Sequence, residues 1–230
     1  MTSSAPVRAV LFDLDGTLLD TAPDMIGALN ALRDERGLEP LPFADLRPFV
    51  SHGSVALVRL GFPDATPSEF ETLRQRFLEL YGARIAEGTR PFPGTEALLD
   101  ALEERRIPWG IVTNKPTRLT EALLEALELR HRACSVVCGD TFPERKPHPR
   151  PLLHAAAEAG AAPTQCLFVG DAQRDVLAAR AAQMRALVAR FGYIGPEDRV
   201  DSWPAHGWID SPLDVLGWLD READDPFLRR

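Results

Sequence analysis

Five short, largely apolar runs, each four to six residues long and each stopped by polar residues, constrain this chain more than any other feature: Val7 to Phe12, Trp109 to Val112, Ser135 to Cys138, Cys166 to Val169 and Ala186 to Ala189. Runs of this length without polar alternation are the signature of strands buried on both faces. From the second run onward a helical or loop segment separates each from the next, with helical composition at Leu119 to Leu129, Pro151 to Ala159 and Val176 to Met184. Strand and helix in alternation predict an α/β fold on a parallel sheet, which presents its reactive groups at the carboxyl ends of the strands.

The first interval breaks this rhythm. Nearly a hundred residues separate Phe12 from Trp109, whereas one strand-helix-strand crossover needs a few tens. Asp20-Thr21 reads as a helix cap with Pro23 in the first turn, and helical stretches follow near Met25 to Arg36 and Ser68 to Tyr81. The breaker Pro91-Phe92-Pro93-Gly94 closes the interval. Residues 21–90 are therefore expected to form a small α-helical cap, inserted into a core of residues 1–20 and 91–230.

Composition narrows the function. A 230-residue chain that is 45% hydrophobic supports a sizeable core, and its net charge of -8 with no local basic patch argues against a nucleic-acid partner. No segment reaches the roughly 20 apolar residues of a membrane span, and Met1 to Pro6 lacks the apolar centre of a signal peptide, so a cytoplasmic location is expected. Cys134, Cys138 and Cys166 lack zinc-site spacing and are expected as reduced, buried packing thiols. Of 26 basic residues only Lys115 and Lys146 are lysines. In a chain that has nearly abandoned lysine, the two survivors are candidates for work a guanidinium does badly.

Four strand ends carry polar clusters. Asp13-Leu14-Asp15-Gly16-Thr17 follows the first strand; Asp-Gly between apolar runs also suits a hairpin, but a capped helix follows instead of an alternating strand. Two carboxylates two residues apart at one strand end suit a nucleophile and an acid/base. Thr113-Asn114-Lys115 offers a hydroxyl and backbone N–H groups for phosphate, Lys146-Pro147-His148-Pro149 aims an ammonium from a stiff loop, and Asp171 and Asp175 in Gly170 to Asp175 are what a hard, oxygen-seeking cation requires.

Taken in order, D-x-D-G-T-x-x-D at Asp13 to Asp20, T-N-K at Thr113, K-P at Lys146 and G-D-x-x-x-D at Gly170 to Asp175 resemble the haloacid dehalogenase-like hydrolase superfamily, in its phosphoglycolate phosphatase-like branch. The resemblance implies a Rossmann-like parallel core, a helical cap, and a phosphatase acting through an aspartyl-phosphate. It makes Asp13 the nucleophile and Asp15 the acid/base. Mg²⁺ would be held by Asp13, the Asp15 carbonyl and Asp171 with support from Asp175, and the phosphate by Thr113, Asn114 and Lys146. Dehalogenases of this kind lack the second Asp, phosphonate hydrolases need a cap lysine that residues 21–90 do not contain, and hexose-phosphate mutases carry a His at the position of Met25. A non-catalytic binding module would be expected to have lost a carboxylate, and all four are present.

The substrate expected is a small phosphorylated metabolite. The motifs favour phosphoglycolate, while Phe191 to Asp198 with Trp203 is similar to the tail of N-acetylmuramic acid 6-phosphate phosphatases. In the cap, Ser51-His52-Gly53-Ser54 either simply begins a helix or also contacts the substrate, with Arg47 a further candidate for an acidic group. Lys115, one residue beyond the proposed phosphate contacts, is expected to matter less than Lys146. One departure from the family pattern is Gln183, where glycine is common.

Overall fold

In β1 (Ala9–Phe12) successive side chains go to opposite faces, Ala9 and Leu11 into one apolar layer and Val10 and Phe12 into the other, and all four residues are buried. That two-sided burial makes β1 a central strand. The structure, a computed structural model, describes residues 6–219. The expectations for residues 1–5, including the reading of the N-terminus, and for 220–230 lie outside the described residues. The remaining strands are β2 (Leu19–Asp20), β3 (Arg90–Pro91), β4 (Trp109–Val112), β5 (Ser135–Val137), β6 (Cys166–Gly170), β7 (Arg185–Ala189) and β8 (Gly207–Ile209). Six form one parallel sheet in the order β5-β4-β1-β6-β7-β8, while β2 and β3 make a separate two-rung antiparallel ribbon.

The helices are α1 (Ala22–Asp34), α2 (Phe43–Leu46), α3 (Gly53–Gly61), α4 (Pro67–Ala83), α5 (Thr95–Glu104), α6 (Thr117–Ala126), α7 (Arg150–Glu158), α8 (Gln173–Ala181) and α9 (Leu216–Leu219). Leu98, Leu99 and Leu102 of α5 and Leu123 and Leu124 of α6 cover the face holding Phe12. Leu152 and Ala155 of α7 and Val176 and Ala179 of α8 cover the face holding Leu11. The result is the α/β, Rossmann-like arrangement expected from the strand-helix alternation.

Residues 21–90 carry α1 to α4, with their own apolar centre of Leu29, Leu32, Leu57, Val58, Leu73 and Phe77. Phe92, Leu119 and Tyr193 from outside the insert join that cluster, so the insert rests on the sheet's carboxyl edge. α4 starts on a capping box in which Thr66 and Glu69 satisfy one another's backbone N–H.

Several expectations are corrected. The sheet gains β8, three residues including a glycine and too short to register as an apolar run. Cys134 is exposed just before β5, while Cys138 and Cys166 are buried as expected. Thr21 begins α1 without a side-chain cap, because its hydroxyl bonds Asp15 Oδ1 at 2.7 Å instead.

Candidate active site

The four clusters converge because neighbouring parallel strands end side by side. Beyond β1, the Asp13 N–H extends the ladder to Val169 of β6 (2.9 Å), and the chain then turns at Gly16 with φ 84°. A Cβ at Gly16 would lie 2.1 Å from Asp171 Oδ2, so only glycine lets the two loops approach this closely.

Lys146 reaches in from the loop after β5. Its Nζ lies 2.9 Å from Asp13 Oδ1 and 2.8 Å from Asp175 Oδ1, and its side chain is 0% exposed. Its backbone is fixed by Asn114, whose amide donates to the Lys146 carbonyl (3.0 Å) and whose Oδ1 accepts the Lys146 N–H (3.1 Å). The Asn114 side chain is thus committed to this loop. Thr113 Oγ1 accepts the Lys115 N–H at 3.1 Å, so its own proton remains available to donate.

Asp13, Asp171 and Asp175 are buried, with one carboxylate oxygen from each lying within 4.8 Å of the others. Burial first, opposed by Lys146 and aided by Asp175, pushes Asp13 up to about 6. Burial, Asp13 and Asp175 together push Asp171 up to about 7. Asp13 and Asp175 hold the Lys146 ammonium above its ordinary value despite its burial. One ammonium does not neutralise three acids, and Asp171 Oδ1 is buried without a hydrogen-bond partner. An orphaned acceptor among crowded carboxylates fits a divalent cation with oxygen ligands.

A cavity of about 250 Å³ opens onto Asp13 and Asp15 and is lined from the insert by His52, Ser54, Arg74 and Tyr81. Ser51, His52, Gly53 and Ser54 all border it. Ser51 does more: its hydroxyl donates to Asp171 Oδ2 at 2.6 Å and lies 3.2 Å from the Asp15 carbonyl, while Arg174 Nη2 donates to the Ser51 carbonyl. His52 is held below its ordinary value by partial desolvation and then by the Arg174 charge. Arg47 does not line the cavity. It packs 4.9 Å over the Tyr193 ring and 3.7 Å from Asp20, at the root of the insert.

Two further residues belong here, Lys115, singled out in the sequence by its rarity, and Tyr193, which the sequence did not mark as a site residue. Lys115 is buried with Nζ 2.8 Å from Asp15 Oδ1. Tyr193 donates its N–H to Asp171 Oδ2 (2.9 Å) and its hydroxyl to Asp20 (2.7 Å), linking the acidic cluster to the insert's root.

A family model described as haloacid dehalogenase-like hydrolase matches residues 10–189. A protein named phosphoglycolate phosphatase from Xylella fastidiosa is 45% identical over 92% of this chain and 92% of its own length. One named N-acetylmuramic acid 6-phosphate phosphatase, from Pseudomonas aeruginosa, is 41% identical over 95% of this chain and 97% of its own. The crystal structure of a predicted phosphoglycolate phosphatase from Haemophilus somnus superposes with a TM-score of 0.83 at 27% identity, covering 92% of this chain and 97% of that one.

Proposed function

We propose, from the premise that this chain belongs to the haloacid dehalogenase-like hydrolase family, that it is a phosphatase using Asp13 as nucleophile, with phosphoglycolate as its preferred substrate. The observation that carries the mechanism is the Asp13 carboxylate at the cavity floor, held by Lys146 at 2.9 Å with Asp15 beside it in the same cavity. An Asp13 oxygen attacks phosphorus as the ester P–O bond breaks, and Asp15 gives its proton to the departing alkoxide. Water then attacks the aspartyl-phosphate, Asp15 takes the water's proton, and inorganic phosphate leaves. Thr113 Oγ1, the Asn114 backbone and Lys146 stabilise the transferring oxygens, where phosphoryl-transfer catalysis chiefly resides.

Asp13, Asp171, Asp175 and the Asp15 carbonyl are the groups suited to Mg²⁺, which would neutralise charge on the phosphoryl oxygens when bound. Residues 21–90 act as the cap of a core formed by 1–20 and 91–230, in a cytoplasmic enzyme; no helix among the described residues is long and apolar enough to cross a membrane.

Phosphoglycolate is favoured by the name of the 45% identical relative and by a cavity of about 250 Å³, below the usual range for drug-sized ligands. The second reading, an amino-sugar 6-phosphate, rests on the 41% identical relative and the Phe191 to Asp198 segment. With Mg²⁺ present, kcat/KM should be higher for phosphoglycolate than for N-acetylmuramic acid 6-phosphate, and chelation should stop turnover. Asp13→Asn should abolish both turnover and the phosphoenzyme. Turnover surviving in Asp13→Asn would refute the nucleophile, and a reversed substrate order would select the sugar.

A further inference from the structure

The geometry points to Lys115 as the positioning residue for the Asp15 acid/base: a buried ammonium, seated on Tyr81 of the insert, that pins one oxygen of that carboxylate and turns the other toward the substrate. This inference rests on the phosphatase reading above and goes beyond it. Among the described residues the donors to the Asp15 carboxylate are Lys115 Nζ at 2.8 Å and Thr21 Oγ1 at 2.7 Å, and both meet Oδ1. Oδ2 is thereby left as the oxygen that carries the proton, first to the departing alkoxide and then from the attacking water. A carboxylate held by one donor swings about its Cβ–Cγ bond, whereas two donors from different directions fix its plane.

Lys115 is itself tightly held. Its side chain is 4% exposed, its carbonyl accepts the Gly139 N–H at 2.9 Å, and Pro116 follows it. Gly139 lies so close to this loop that a Cβ there would meet Asn114 O at 2.1 Å. The ammonium sits 4.5 Å from the centre of the Tyr81 ring, on the last turns of α4. An unpaired buried ammonium is expensive, so Asp15 and the ring face together account for its presence. Tyr81 belongs to the insert and Asp15 to the core, so this alignment is complete only when the insert is seated.

Leaving-group dependence separates positioning from general damage. An alkoxide needs a proton to depart; p-nitrophenolate does not. Lys115→Met, similar in length and uncharged, should lower kcat for phosphoglycolate on the order of 10²-fold, with KM changed less than about threefold. In the first turnover, p-nitrophenol release should slow less than about fivefold while glycolate release slows as kcat does, and hydrolysis of the phosphoenzyme, which also uses Asp15, should slow equally after either ester. In the Asp15→Asn background, Lys115→Met should add almost nothing, because its path runs through Asp15. Equal first-turnover losses of leaving-group release on both esters, a rise in KM alone, or full additivity with Asp15→Asn would each overturn the inference while leaving the phosphatase reading intact. Should Lys115→Met not fold, the same comparison with Lys115→Gln decides. Wild-type inactivity on both esters would instead remove the reading itself.

Discussion

Asp171 shows how a single residue registers a missing charge. Burial and its acidic neighbours raise Asp171 to about 7 and Asp13 to about 6, and both return to the ordinary carboxylate value of 3.8 on unfolding. The folded chain therefore holds more protons between about pH 4 and 7, so these two groups lower metal-free stability as pH rises through that window. In Asp171→Asn the metal-free Tm should fall less between pH 5 and 8 than in the wild type, and the rise in Tm that millimolar Mg²⁺ gives the wild type should nearly vanish. Thermal melts with and without Mg²⁺ check both, and an equal Mg²⁺ response in the variant would remove Asp171 from the cation site. At this scale the sequence revealed residues that sit at strand ends inside compact motifs: Asp13, Asp15, Thr113, Lys146, Asp171 and Asp175. Partnerships across long separations were hidden, since Lys115 meets Asp15 from 100 residues away and Tyr193 meets Asp20 from 173. Arg47 was misplaced for the same reason, because Tyr193 is the surface it covers.

Among the elements, the strands agree with the apolar runs closely, but two helices end early. The expected stretches ran to Leu129 and Met184, whereas α6 and α8 stop at Ala126 and Ala181. The stops at α5, α6 and α8 share one geometry, with Arg106, Glu128 and Gln183 at φ 57°, 57° and 60°. After α8 the Gln183 N–H bonds Arg180 O at 3.0 Å and the Met184 N–H bonds Ala179 O at 2.8 Å, a Schellman closure. Glycine normally marks this left-handed position, and at α7 Gly160 does, where the expected end was within one residue. Gln183, the departure from the family pattern, therefore has a backbone price rather than a catalytic one. Gln183→Gly should raise stability by about 1 kcal/mol with activity unchanged. Urea unfolding should show a higher midpoint at the same m-value, and a lower midpoint would mean that the Gln183 side chain makes a compensating contact.

Across the whole molecule, the insert and the core meet over the acidic cluster through Ser51. Its hydroxyl donates to Asp171 Oδ2, and its carbonyl accepts from Arg174. A hydrogen bond to a carboxylate contributes about 1.5–3 kcal/mol, enough to shift a seated-to-lifted equilibrium by roughly ten- to a hundredfold. Ser51→Ala should therefore speed amide exchange at Thr89 and Phe92 beside the insert's root, while exchange in β1 and β6 stays slow. Unchanged exchange at the root would mean that Ser51 does not hold the insert down. That root is narrow. β2 and β3 place Asp20 opposite Arg90, and the buried Asp24 carboxylate accepts the Gly88 and Thr89 N–H groups at 2.6 and 2.9 Å. The chain thus departs from the core and rejoins it through a single gate, and everything between is a side branch that the sheet's connectivity never notices. Closing such a gate costs nearly the same whether the branch is long or short, since the entropy grows only with the logarithm of its length. The branch is in effect an exchangeable cassette, free to vary in size and selectivity while the catalytic floor beneath it keeps one plan.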